Sequence, residues 1–303
     1  MPQAIKGFRT VEPMVSILTS LLGPRSAPRL ERYGRIVLVA VLAAMAVDEV
    51  YFAVREWPLH DMDVYLGAAM RLRAGQPLYI PGDVAVDSFW YAPWFAVAWI
   101  PLTFLPRLVV AILWSAVLLA ATAVVTVMLG RMGRNGPMLA LLVGPLLFAV
   151  SAGGNIQALM VLSLLWGFNR GSGPLWVAIA ASMKYTPILL VLTYVARREW
   201  LRAIAAGLLA AALIGPGFVL GLLNAGVRSQ AASSLLGSSL PAYLIVVVAF
   251  ALLAFAGPRR YSALASAAAA VLALPRLFAY DVTLLAVGVA GPERRSGTGR
   301  VEG

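Results

Sequence analysis

The sequence predicts an all-α polytopic membrane protein: about ten transmembrane helices, with a long first outer loop carrying an interfacial helix. Three observations predict it. Apolar residues (AVILMFWYC) make up 61% of the chain and charged residues 12%, whereas soluble domains carry about 45–50% apolar and about 25% charged residues. So few charges cannot cover a water-facing surface. The apolar residues also come in runs close to the ~20 that a spanning helix needs. Third, 24 Lys+Arg stand against 13 Asp+Glu, a net charge of +11, and the bases sit mainly in short loops between the runs. Basic loops of that kind hold the cytoplasmic side of a membrane protein, and they argue against nucleic acid as a partner.

Taken in order, spans are expected near 35–54, 91–106, 108–130, 137–151, 153–169, 174–195, 202–223, 240–256, 261–275 and 277–291. Pro101, Pro145, Pro187 and Pro216 fall inside them, which a bundle tolerates when neighbours satisfy the freed carbonyls. Ten spans put both termini on one side, together with the richest basic clusters. These are Arg25, Arg29, Arg32 and Arg35, then Arg197, Arg198 and Arg202, then Arg259-Arg260, and finally Arg294-Arg295. That side is expected to be cytoplasmic; Arg131 and Arg134 fall opposite. The chain thus divides into a basic cytoplasmic segment (1–34), a transmembrane domain (35–291, its outer loop at 55–90) and a cytoplasmic tail (292–303). The first apolar run has no small-residue cleavage pattern after it and is read as a span, not a cleaved signal. Arginine is used almost to the exclusion of lysine, with much Ala and Gly, so a bacterial plasma membrane is expected. Cysteine is absent and His60 is the only histidine, which excludes disulfides, thiolate chemistry and a multi-histidine metal site within one chain.

The acids are concentrated. Seven of thirteen (Asp48, Glu49, Glu56, Asp61, Asp63, Asp83, Asp87) lie at the end of the first span and in the loop after it. Within that loop, Val64, Ala68 and Leu72 recur every four residues among polar neighbours, the pattern of a helix on the membrane surface. Gly75 marks its end and Pro77 discourages continuation. Asp61 has two readings: a cap on the first amides of that helix, or a general base at the mouth of the bundle. Asp63 shares both. The aromatics that follow, Tyr79, Phe89, Trp90, Tyr91, Trp94, Phe95 and Trp99, suit either an interfacial belt or a sugar-stacking platform.

Five polar positions stand out further along. Lys184 lies in mid-run, where a lysine must face protein, water or an anion; it is read as a snorkelling lysine or, preferably, as a contact for a lipid phosphate. Asn155 and Gln157 lie between two short spans, where helix–helix hydrogen bonding is the plainer role. Arg276 and Asp281 either pair with each other or help form the floor of a site.

One ordered series of motifs runs through these positions: Asp61-Met-Asp-Val-Tyr65, Ala74-Gly-Gln-Pro-Leu-Tyr79, Phe89-Trp-Tyr-Ala-Pro93-Trp94, Ile100-Pro-Leu-Thr-Phe-Leu-Pro106, Gly154-Asn-Ile-Gln157, Lys184-Tyr-Thr-Pro187 and Arg197-Arg-Glu-Trp200. The series resembles the GT-C membrane glycosyltransferases, in particular glycosyltransferase family 87, which includes polyprenyl-phosphate-mannose-dependent mannosyltransferases of actinobacteria. The likeness covers about residues 35–290. Tyr91-Ala-Pro93 departs from the family's commoner Tyr-Pro-Pro, and the chain is short for the family. The resemblance implies a GT-C-like bundle and inverting transfer of a hexose, mannose favoured. The donor would be a polyprenyl-phosphate sugar and the acceptor a glycolipid or glycan on the non-cytoplasmic face. It implies Asp61 as general base with Asp63 in reserve. Lys184, Arg276, Arg71 and Arg73 are expected around the donor phosphate, and Tyr65, Tyr79, Tyr91, Trp94, Asn155, Gln157 and Asp281 around sugar and acceptor. No cofactor is required, although Asp61 and Asp63 could hold a divalent cation through water. The alternatives are a transporter or flippase of an anionic or lipid-linked substrate, and a non-catalytic subunit. Against the transporter, no internal repeat is visible.

Overall fold

Helices stand where the apolar runs stand. The computed structural model describes residues 59–80, 89–133, 136–222, 235–275 and 277–290, with isolated helical positions between Tyr33 and Tyr51. The basic segment before Tyr33, most of the first expected span, Asp48, Glu49, Glu56, Asp83, Asp87, Arg134, Arg276 and the tail from 291 lie outside the described residues. The chain divides into two units, Met1–Ala44 and Met45–Gly303. Six helical positions of the first are described; everything below concerns the second.

Every regular element among the described residues is a helix. In chain order these are α1 (His60–Arg73), α2 (Pro93–Trp99) continued by a 3-10 turn (Ile100–Phe104), α3 (Arg107–Gly130), α4 (Gly136–Ser151), α5 (Gln157–Gly167) and α6 (Gly173–Lys184). After a 3-10 turn (Thr186–Leu190) come α7 (Val191–Ala196), α8 (Trp200–Val219), a single helical turn (Leu235–Ser238), α9 (Leu240–Ala256) and α10 (Arg259–Leu272). A last 3-10 turn (Ala279–Leu284) leads into α11 (Leu285–Val289). The principal pairings are α3 with α4, α6 with α8, and α9 with α10.

Among the described residues, α3 and α8 are long and apolar enough to cross a membrane; α4, α5 and α9 are shorter apolar helices. The run at 174–195 is not one helix. It breaks after Lys184, because Pro187 has no amide to donate and disfavours helical geometry in the residue before it. The run at 277–291 is likewise a 3-10 turn followed by five helical residues. Outward faces are apolar: Ile112, Leu113, Val117, Val124 and Val127 on α3, Leu201, Ile204 and Leu208 on α8, and Ile245, Val248 and Leu252 on α9 are all exposed. The α10 interface is built the opposite way. Ser262, Ala263, Ser266, Ala267 and Ala270 are buried there, and such small side chains let helix backbones approach closely.

α1 ends as expected, with Gly75 at φ +69° closing the turn, a conformation that costs glycine nothing. Its buried face is not the expected one. Met62, Tyr65, Ala68 and Ala69 are buried, so Val64 and Leu72 flank the packed stripe instead of forming it. Tyr65 is the centre of that packing: the rings of Tyr91 and Phe95 stand 4.9 Å from it and that of Trp99 5.2 Å. Edge-on aromatic contacts of this kind add to burial alone.

The turn between α4 and α5 seats α1. The Gly153 carbonyl accepts the Asp61 amide at 2.9 Å, satisfying one of the amides that a helix start leaves free. Gly154 follows at φ +77°, and a Cβ there would stand 3.0 Å from both the backbone nitrogen and the Cβ of Met62. The indole of Trp114 on α3 donates to the Gly154 carbonyl at 2.7 Å. Gly154→Ala is therefore expected to destabilise the protein by about 1–3 kcal/mol, whereas Gly153→Ala, whose Cβ meets only an ordinary contact with Val150, is expected to be close to neutral. Thermal unfolding of the two variants in detergent checks this; equal melting temperatures would refute the role given to the turn.

Candidate functional site

A cavity of about 570 Å3 is lined by the start of α1, the Trp90–Tyr91 stretch before α2, the C-terminal part of α4 with the 153–155 turn, the C-terminal end of α6, and residues Leu274, Pro275 and Phe278–Asp281. Small-molecule pockets span roughly 300–1,000 Å3. One part of the wall is apolar, from Val64, Leu146, Ala149, Val150, Leu274 and Pro275. Another is aromatic, from Trp90, Tyr91, Tyr185, Phe278 and Tyr280. His60, Asp61, Asn155, Lys184 and Asp281 supply the polar groups. The cavity is therefore amphipathic.

α1 begins at His60, one residue before Asp61, and Leu59 at the cap position makes no side-chain cap bond. Asp61 is thus inside the first turn and not the cap that local sequence allowed. Its Oδ2 accepts from Nδ2 of Asn155 at 2.7 Å, a pairing across 94 residues. The oxygen of the same amide accepts the Gln157 backbone N–H at 2.9 Å. Gln157 is itself fully buried and donates to the Thr283 hydroxyl at 3.1 Å, tying this turn to the segment that carries Asp281.

Lys184 ends α6, where a cation complements the helix dipole. Its ammonium donates to Oδ1 of Asp281 at 2.6 Å and lies 4.6 Å from the centre of the Tyr280 ring. The other Asp281 oxygen accepts the Phe278 amide at 2.9 Å. Asp281 is only 2% exposed, so a carboxylate there depends on those donors. The rings of Phe278 and Tyr280 are parallel, 8° apart, with centroids 5.3 Å apart. Next to Lys184, Tyr185 adopts φ +58°, a region that a side chain other than glycine's occupies only under constraint. The constraint is visible: its hydroxyl donates to the Trp90 carbonyl, and Pro187 follows two residues on.

The residues expected at the site separate into two groups. Asp61, Tyr91, Asn155, Lys184 and Asp281 line the cavity. Tyr65, Tyr79, Trp94 and Gln157 frame it: the Tyr65 and Tyr91 hydroxyls meet at 2.9 Å, Tyr79 donates to the Tyr91 carbonyl at 2.7 Å, and Trp94 donates to Ser182 at 3.0 Å. Burial above all, with the Tyr91 hydroxyl and the Asp61 charge adding to it, pushes the Tyr65 hydroxyl well above the ordinary phenol value. Burial does the same to Tyr79. Both therefore stay protonated; Tyr79 donates to its carbonyl partner, whereas either hydroxyl of the Tyr65–Tyr91 pair can be the donor. Asp63 is bound to the guanidinium of Arg107 through both oxygens, at 2.9 and 2.8 Å, which ties α1 to the start of α3. Arg71 turns back to the Leu78 carbonyl at 3.4 Å. Arg73 donates to Thr103 at 2.8 Å and lies over the Phe104 ring. Neither arginine is among the cavity-lining residues. Arg276 lies outside the described residues. Asp281, which the sequence allows to pair with Arg276, is engaged by Lys184.

Trp90, one of the aromatics the sequence offered for a stacking platform, lines the cavity, and so do His60, Tyr185 and Tyr280, which had not been singled out from sequence for that role. Two of them had a visible signal: Tyr280 adjoins Asp281, and Tyr185 adjoins both Lys184 and the proline step. Among the described residues no group of three His, Cys, Asp or Glu side chains could hold a metal ion, and Asp63, the expected partner of Asp61 in holding a cation, is committed to Arg107.

No model of a known protein family, no curated protein and no solved structure matches the chain.

The Lys184–Asp281 pair makes a testable demand. Removing one partner strands the other charge at a mostly buried position, which typically costs about 3–5 kcal/mol, while removing both is often close to neutral. Lys184→Met and Asp281→Asn are each expected to lower the melting temperature markedly, and the double variant is expected to recover most of the loss. A double variant whose loss equals the sum of the two singles would show that the pair is not coupled.

Proposed function

We propose that the chain is a multi-pass membrane glycosyltransferase of the GT-C type, resembling glycosyltransferase family 87. In this reading it moves a hexose, mannose favoured, from a polyprenyl-phosphate donor to a glycolipid or glycan acceptor on the non-cytoplasmic face of a bacterial plasma membrane. The observation that carries the reading is one cavity in which a held carboxylate (Asp61), an anchored ammonium (Lys184) and an apolar wall occur together. A lipid-linked sugar phosphate has the matching parts: a polar sugar, an anionic phosphate and a hydrocarbon chain. The exposed apolar faces of α3, α8 and α9 support placing the bundle in lipid, since soluble proteins rarely expose apolar patches of more than a few hundred Å2. The aromatic rings beside Lys184 suit a pyranose, which stacks its C–H face on such surfaces.

The chemistry needs no group beyond the chain. The Asp61 carboxylate takes the proton of the acceptor hydroxyl. The acceptor oxygen attacks the anomeric carbon from the face opposite the lipid phosphate, forming the new glycosidic C–O bond. The bond from the anomeric carbon to the phosphate oxygen breaks and its electron pair leaves with the polyprenyl phosphate. Lys184 faces the charge that develops there, with Asp281 and Tyr280 fixing its position. One inversion results.

The test is transfer of radiolabelled mannose from polyprenyl-phosphate-mannose to a membrane extract by purified protein in lipid, with Asp61→Asn measured beside wild type. Wild type is expected to transfer, and the variant to lose at least about a hundredfold, the scale of a general base, with folding and donor binding intact. Transfer that survives in Asp61→Asn would refute the assignment of the base. A wild type that transfers from no polyprenyl-phosphate sugar would refute the enzyme reading and favour a transporter of the same amphiphile or a non-catalytic subunit.

A further inference from the structure

We infer that Asn155 is a positioning residue for Asp61: it holds the carboxylate ionised and aims it into the cavity, and is not a contact for sugar or acceptor. The inference rests on the reading of Asp61 as the base. Its geometric ground is the orientation of one amide. The Asn155 oxygen accepts the Gln157 backbone N–H at 2.9 Å, so the NH2 end is the one turned to Asp61, 2.7 Å from Oδ2. Asn155 is 4% exposed and Gln157 wholly buried, which leaves that amide little freedom to turn over. The main chain supplies a second hold, because the Asp61 amide donates to Gly153 two residues before Asn155. Carboxylate and amide are thus seated by one turn that the Gly154 close approach keeps in register.

A donor bonded to the ionised form of a carboxylate favours that form. Removing it raises the pH at which Asp61 takes up a proton. A base works only when unprotonated, so the acid limb of the activity profile must then move to higher pH. Among the described residues, the other titratable groups around Asp61 include His60 and Tyr65 on its own helix, Tyr91 from the aromatic wall, and Lys184 with Asp281, which line the same cavity. All of them remain in place in an Asn155 variant.

Two substitutions separate positioning from a merely structural part. Asn155→Ala deletes the donor. Asn155→Asp keeps the shape and the bond from Gln157 but sets a second carboxylate beside Asp61, where two like charges must share a proton. The readout is infrared titration of the Asp61 carboxyl band, assigned as the band that Asp61→Asn removes, in protein held in lipid. It is run beside kcat and acceptor KM against pH. The expected result is a midpoint raised by at least about one pH unit in Asn155→Ala and by more in Asn155→Asp. One pH unit corresponds to roughly tenfold lower kcat on the acid limb, with acceptor KM unchanged. An unmoved midpoint in the correctly folded Asn155→Asp protein would overturn the inference, as would a raised acceptor KM at constant kcat, which marks a binding contact. Absence of transfer by the wild type would instead sink the enzyme reading, and the infrared midpoints would still decide the role of Asn155.

Discussion

A buried charge must be answered by another, and in this chain that requirement joins segments that the sequence keeps far apart. Asp281 is almost wholly enclosed, and Lys184 reaches it across 97 residues at 2.6 Å. An unpaired carboxylate at that depth would cost several kcal/mol even after relaxation. The end of α6 and the 3-10 turn before α11 are therefore held to one geometry. The contact also holds the ammonium 4.6 Å from the centre of the Tyr280 ring, and all three side chains line the cavity. Gln157 makes a second tie between the same regions through Thr283. The floor of the site is thus cross-linked by polar bonds in a bundle whose remaining contacts are mostly non-directional.

The opposite wall is held by shape. Tyr65 is enclosed by Tyr91, Phe95, Trp99 and Trp114, and the indoles of Trp94 and Trp114 reach polar atoms on α6 and in the 153–155 turn. Large rings with few rotatable bonds lose little entropy on ordering, and those with a polar atom also fix a direction. α1 is consequently positioned by an aromatic frame on one side and by the Gly153–Gly154 backbone on the other. Asp61 inherits that rigidity. In enzymes, a reacting group held in place before the reaction avoids reorganisation at the barrier.

Much of this was legible in the sequence where the physics is local. The run at 240–256 became α9 with those same bounds, and Gly75 ended α1 because a positive φ suits glycine. The acids and the lone mid-run lysine drew attention to Asp61, Lys184 and Asp281 because charge is expensive in an apolar chain. What periodicity misread was the face of α1. Tyr65, which the resemblance places near sugar and acceptor, has its ring packed against Tyr91, Phe95 and Trp99, while its hydroxyl meets that of Tyr91. Arg71 and Arg73 lie in the right loop, but long side chains can fold back, and theirs satisfy Leu78 and Thr103 instead of reaching the cavity. The partners of Asp61 and Lys184 were illegible for a different reason. Pairing across some ninety residues is set by how helices pack, and nothing in a local window records it. The break after Lys184 lies between: Pro187 is visible in the sequence but reads there as tolerated within one span from 174 to 195, and the bond from Tyr185 to Trp90 shows where the turned chain is held.

The pairing of Lys184 with Asp281 also bears on how the proposed transfer would gain its rate. A polyprenyl-phosphate sugar enters as a phosphodiester with one negative charge, and its lipid phosphate leaves as a monoester that carries more. A free lysine would attract the entering diester strongly, and attraction that is equal in ground and transition states does not raise kcat. Lys184 is not free: Asp281 already satisfies much of its charge. Its net pull on the entering donor is correspondingly weak. As the glycosidic oxygen takes up the electron pair, the added charge competes with Asp281 for the same ammonium, and the interaction strengthens where the barrier lies. The same logic applies across the cavity. In the proposed reading, the Asn155 hydrogen bond would stabilise Asp61 as an anion at rest and so keep the base available, without preventing it from accepting a proton whose departure creates the nucleophile. In the proposed transfer each of these two charged groups is thus moderated by a neighbour, and the transition state would be distinguished by both moderations relaxing together.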